Sequence, residues 1–136
     1  MENLQLDLKL QFETHLIAVS IADRYLAYLS KDKQTGPNSL VLAVTSVMLA
    51  AKINEHVFPL FSSVKFMLSK VHKLVIKKED YLALEQSILV ALDYDVQYST
   101  SLFFLERFFT IFYLDKTDDL KASRIRHQAR LFCLTA

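Results

Sequence analysis

Leu40-Val-Leu-Ala-Val-Thr-Ser-Val-Met-Leu-Ala-Ala-Lys52-Ile-Asn-Glu55 is the stretch whose reading decides the fold. It is apolar on every face, seeded with small residues and closed by a lone lysine. A surface helix keeps a polar stripe, so a helix that is apolar all round is buried on all sides. Ala43, Ser46 or Val47, and Ala50 recur at helical spacing and let neighbouring helices approach closely along that line. The run is too short to cross a bilayer, which takes about 17–25 residues. It is the expected hub of a helical domain, and Lys52 is where the hub meets something outside it.

Composition agrees with helices. The chain has 136 residues, 52% of them hydrophobic, enough for one soluble domain with a real core. One glycine and two prolines leave few places to turn, which favours long helices over a many-turned β fold. A formal charge of +1 gives no bulk drive toward nucleic acid or anionic lipid. The single Cys133 excludes an internal disulfide and suits a reducing compartment. With no leader, spanning segment or polybasic tail legible, the expected location is nucleus or cytoplasm, with no membrane partner.

Outward from the hub, periodicity predicts a first long helix over 12–30, with Phe12, Leu16, Val19, Ala22 or Asp23, Leu26 and Leu29 at three- and four-residue steps. Lys31 to Asn38 breaks it, and Asn38 or Ser39 can cap the hub helix. Pro59 ends the hub region. A short helix over 62–73 sets Val64, Leu68 and Val71 or His72 on one side. A fourth, over 79–92, has Tyr81, Leu84, Ile88 and Ala91 or Leu92 inward, with Glu79 and Asp80 at its start, where acid suits the helix dipole. Ser99 or Thr100 can cap an aromatic fifth helix, to about Leu114, carrying Phe103, Phe104, Phe108, Phe109, Phe112 and Tyr113. Asp115 to Asp119 reads as a polar linker, followed by a sixth helix with Ala122, Ile125, Ala129 and Phe132 on one face. The leader Leu4, Leu6, Leu8, Leu10 and Phe12 alternates like a strand. A lone strand is not stable in water, so an extended lead-in or a helix end is expected there.

Catalytic chemistry finds no footing. A phosphate-cradling loop needs glycines, and only Gly36 is present. His15, His56, His72 and His127 are far apart, and none forms a metal-ligand pair. Cys133 and His127 fall on different helix faces, which leaves Cys133 as a buried structural thiol. Asp118 and Asp119 read as solvated linker. Neither an enzyme, nor a small-molecule substrate, nor a cofactor or metal is expected.

Three charges border apolar stripes: Asp23, Lys52 and Glu85. One reading lets each snorkel to water, with Lys52 favoured anyway at a helix C-terminus. The other is a charge pair presented to a partner, as at an interface rim around an apolar core. Lys65, Lys70, Lys73, Lys77 and Lys78 form a run with no acid between them. A solvated face explains it better than a phosphate-binding patch. Phe66, the aromatic among them, is expected on the inner side, away from base stacking.

Several of these segments resemble the cyclin box. Lys9-Leu-Gln-Phe-Glu-Thr14 running into Ala18-Val-Ser-Ile-Ala-Asp-Arg-Tyr-Leu26 resembles its second helix, and Val44 to Glu55 its central third helix. Leu84-Glu-Gln-Ser-Ile-Leu-Val-Ala-Leu-Asp-Tyr-Asp-Val96 resembles the fourth, and Ser101-Leu-Phe-Phe-Leu-Glu-Arg-Phe108 the fifth. The resemblance implies an all-α fold, a cyclin-box bundle around a central buried helix, with the start of a second helical fold at the C-terminus. It covers 1–114 as the box, 115–121 as linker and 122–136 as the opening of the second fold.

The same resemblance implies a regulatory, activating subunit of a cyclin-dependent kinase, acting in cell-cycle control. By motif position Lys52 and Glu85 would grip the kinase backbone, Ile53, Leu89 and Tyr94 would add apolar contacts, and Asp23 would order the box. The family's first helix, with its substrate-docking motif, has no counterpart beyond a tail in Met1 to Leu8. Ile53 replaces an aromatic, and Asn54-Glu55 stands where an acidic pair is usual. A box lacking that helix is expected to self-associate when isolated. The alternative is a cyclin-fold transcription factor or adaptor binding nucleic acid or protein. Only the lysine run supports it.

Overall fold

In the computed structural model the described residues, 8–31, 35–71, 73, 75–112 and 120–135, form six helices and no strand. These are α1 (Phe12–Lys31), α2 (Ser39–Asn54), α3 (Phe61–Val71), α4 (Lys78–Ala91), α5 (Ser101–Ile111) and α6 (Leu120–Thr135). Leu4, Leu6, His72, Tyr113, Leu114 and the 115–119 linker lie outside the described residues, as do the side chains of Val71, Ala122 and Leu134. The chain divides into two compact units, 1–98 and 99–136, so α5 groups with α6 rather than with the first four helices.

The first unit is organised by α2. Asn38 caps it, its side chain accepting the Leu40 N–H at 2.9 Å. From Leu42 through Ala51 every residue but Ala43 is buried, as an all-apolar helix requires. Both α1 and α4 pack on α2 and touch each other. From α3, Val64 and Leu68 enter the same core, and α4 contributes Tyr81, Leu84 and Ile88. Leu92 closes it just past the end of α4.

On α1 the inner face differs from the expected stripe. Ile17, Ala18, Ile21, Ala22, Tyr25 and Leu29 are buried, while Leu26 is 44% exposed and Asp23 faces solvent. Leu16 and Val19 are half-buried. The helix carries two apolar stripes. The one holding Ala18 and Ala22 wins because it lets α1 come close to a hub whose Ala50 and Ala51 are themselves fully buried. The strand-like leader also has a packing explanation. Leu10 is buried in the core and Leu8 packs against it, so alternate apolar residues pin the chain ahead of α1 without any strand among the described residues.

A polar cluster fixes where α1 starts. Glu55, just past the end of α2, accepts from the Gln11 N–H at 2.7 Å and from the Thr14 hydroxyl. Asn54 Nδ2 donates to Thr14 Oγ1 at 3.0 Å. A carboxylate at a helix N-terminus satisfies free N–H groups and sits favourably in the dipole. The end of one helix thus caps the beginning of another.

In the second unit Thr100 caps α5, accepting the Phe103 N–H at 3.3 Å. Arg130 Nε donates to Glu106 Oε1 at 2.9 Å, joining α6 to α5. Phe109 is buried, whereas Phe103, Phe104, Phe108 and Phe112 are exposed. On α6, Ile125 and Phe132 are exposed and Cys133 is half-buried, not the fully buried thiol expected.

Candidate functional site

Lys52 occupies the last turn of α2, and Glu85 lies on α4 one turn beyond Tyr81. The packing of α4 on the hub joins them: Lys52 Nζ donates to Glu85 Oε1 in a direct ion pair. The two side chains are 38% and 14% exposed, so the pair sits at a surface with its carboxylate largely shielded.

Tyr81 completes the arrangement. Its hydroxyl donates to the same Glu85 Oε1 at 2.9 Å, and Lys52 Nζ lies 5.7 Å from its ring centroid. The ring also stacks with Phe61 of α3, centroids 4.8 Å apart and planes 21° from parallel. Partial burial pulls the Lys52 ammonium down, but its interactions with Glu85 and Tyr81 outweigh this and hold it above the ordinary lysine value. Burial, with the hydrogen bond to Glu85, pushes the Tyr81 phenol above its usual value despite the opposing lysine.

The other expected contact residues distribute unevenly. Ile53, next to Lys52, is 38% exposed, as an apolar contact residue should be. Leu89, one turn past Glu85, is half-buried and packs against the core. Tyr94 lies beyond the end of α4 and is 67% exposed, in a turn where it and Asp93 both adopt left-handed backbone, φ 59° and 50°. The Tyr94 N–H donates to Leu89 O at 2.8 Å, and Asp95 pairs with Arg24 of α1 at 3.5 Å. Asp23 is exposed, and the polar contacts at the start of α1 are made by Thr14, Asn54 and Glu55.

Sequence reasoning missed Tyr81 as a site residue, although its four-residue spacing to Glu85 was the available signal. No sequence signal announces Phe61, which reaches the site only through the packing of α3. Phe66 is the reverse case. It is 60% exposed with Lys70 Nζ 4.7 Å over its ring, not on the inner face. Lys65, Lys70, Lys73, Lys77 and Lys78 are all exposed.

A donor beside a fixed carboxylate on helical scaffolding suits recognition. Among the described residues no cluster of His, Cys, Asp or Glu could hold a metal ion, and no helix is long and apolar enough to cross a membrane. The family described as cyclin, N-terminal domain, matches residues 1–97. The chain belongs to the cyclin family. The matched span is nearly coextensive with the first compact unit, so this cyclin domain corresponds to the hub and the helices packed on it. No curated protein and no solved structure matches the chain.

Proposed function

We propose that this cyclin is the regulatory, activating subunit of a cyclin-dependent kinase, with the Lys52–Glu85 pair at the interface. One observation carries the reading: a lysine and a glutamate far apart in sequence form an ion pair at the edge of apolar surface. Lys52 has three N–H donors, of which one goes to Glu85 Oε1. Both hydrogen bonds to the carboxylate fall on Oε1, which leaves Oε2 as an acceptor. Free ammonium protons and a free carboxylate oxygen suit the carbonyl and N–H groups of a partner's main chain. Ile53, Leu89 and Tyr94 would supply the apolar part of the contact. A regulatory role of this kind places the protein in the nucleus or cytoplasm.

The test is co-purification of the chain with a panel of monomeric recombinant cyclin-dependent kinases, followed by a peptide phosphorylation assay. Saturable binding with stimulated phosphorylation is expected, and binding to none of the panel refutes the reading. A second reading, an adaptor that binds nucleic acid, draws on the five exposed lysines. It predicts retention on heparin that falls steeply with salt.

A further inference from the structure

The pair proposed for the kinase is not free-standing: it is supported by Tyr81 on α4 itself and by Phe61 on one further element, α3. A glutamate on a helix surface ordinarily samples several rotamers. Here Glu85 Oε1 accepts from both Lys52 Nζ and the Tyr81 hydroxyl. Tyr81 has little freedom of its own: it is 3% exposed, and its ring is stacked on Phe61. Lys52 Nζ, in turn, lies over the face of that ring. The phenol therefore touches both members of the pair, and α3 reaches the pair through a single aromatic stack.

We propose that Tyr81 is a positioning residue for the docking pair, with Phe61 seating its ring, so that Glu85 Oε2 and the remaining Lys52 protons meet a partner's main chain already oriented. The identity of the partner rests on the kinase reading, whereas the clamp rests on contacts within this chain. Binding through preoriented groups avoids the cost of ordering two long side chains at the moment of association. The raised Lys52 is consistent with this arrangement, since Tyr81 contributes to holding the ammonium charged. In function, Tyr81 acts through Glu85 rather than by contact of its own, because its side chain is almost wholly buried.

Two measurements on the full chain test this separately. In the first, the Lys52 side chain is titrated by NMR through its Cε resonance in the wild type, Tyr81→Phe and Phe61→Tyr. Tyr81→Phe keeps the stacked ring and removes only the hydroxyl, so the fold survives. Its Lys52 midpoint should fall, while that of Phe61→Tyr, which keeps the stack, should stay at the wild-type value. An unchanged midpoint in Tyr81→Phe overturns the clamp. In the second, a kinase from the panel above is titrated calorimetrically into wild type, Tyr81→Phe, Glu85→Ala and the double variant. Tyr81→Phe should weaken binding about five- to tenfold in the wild-type background and less than about twofold where Glu85 is already alanine. Equal losses in both backgrounds overturn the positioning role. If no kinase binds while the Lys52 midpoint still falls, the kinase reading fails and the clamp stands.

Discussion

The Tyr25 hydroxyl and Ser87 Oγ lie 2.9 Å apart, a hydrogen bond that ties α1 to α4 at the edge of the core. Tyr25 is otherwise buried, so its ring fills space while its oxygen fixes how far one helix can slide past the other. Tyr25→Phe should cost about 1 kcal/mol of stability, the net worth of one hydrogen bond. Tyr25→Ala should cost about 3–5 kcal/mol through the cavity it leaves. Urea unfolding with unchanged m-values checks both, and equal losses from the two would show the ring to be idle.

Lys52→Ala and Glu85→Ala should each weaken kinase binding at least tenfold, since losing one partner of a shielded charged contact costs about 2–5 kcal/mol. Their effects on folding should differ. Lys52→Ala removes one donor from a carboxylate that keeps another, whereas Glu85→Ala strands the buried Tyr81 hydroxyl. An unsatisfied buried hydroxyl costs about 1–3 kcal/mol, so Glu85→Ala should melt lower than Lys52→Ala. Thermal denaturation followed by circular dichroism distinguishes them.

Alkali should find the same site. Lys52 and Tyr81 are both held above their ordinary values of 10.5 and 10.0, so each binds its proton more tightly folded than unfolded. Between each group's unfolded and folded values the folded chain carries more protons, and stability falls as pH rises. The contribution is therefore complete at neutral pH, begins to fade above about pH 10 and is lost as pH passes through the folded values. Tyr81→Phe should flatten the slope of unfolding free energy above pH 10. An unaltered slope would mean that Tyr81 does not contribute to it.

Ser46 Oγ and Thr45 Oγ1 are buried in the hub with no hydrogen-bond partner among the described residues. A buried hydroxyl without a partner is a cost to the fold, so Ser46→Ala should be neutral or stabilising by up to about 1 kcal/mol. Ser46→Leu should destabilise by about 1–3 kcal/mol, because a 0% exposed position on the hub has no room for three more carbons. Paired denaturant curves for these two variants measure whether the hub is limited by polarity or by volume.

The sequence was most legible where one signal dominated. The hub could be read from apolarity alone, and side-chain chemistry narrowed the helix caps to Asn38 or Ser39 and to Ser99 or Thr100, of which Asn38 and Thr100 make the capping bonds. The inward stripe of α4, Tyr81, Leu84, Ile88 and Leu92, followed from its period. On α1 the period was ambiguous. Two stripes competed, and the choice depended on how close the hub allows a neighbour to come, which is a property of α2 rather than of α1. Lys52 and Glu85 could be placed by motif, but their clamp could not. The Tyr81–Phe61 stack depends on where α3 crosses α4, and the Thr14–Asn54–Glu55 cluster on where α2 ends beside the start of α1. Both are long-range in sequence and leave no periodic trace.

The left-handed turn at Asp93 and Tyr94 carries a consequence for engineering this chain. A bulky aromatic at φ 59° holds a conformation that costs about 1–2 kcal/mol per residue, while glycine adopts it freely. The ring is mostly in solvent, so burial returns little of that cost within the chain. Tyr94→Gly should therefore fold as well as the wild type or better, by up to about 1 kcal/mol once the greater freedom of unfolded glycine is counted. If Tyr94 belongs to the kinase contact, the same substitution should weaken the complex. A screen for thermal stability alone would then select the variant, and a screen for binding would discard it.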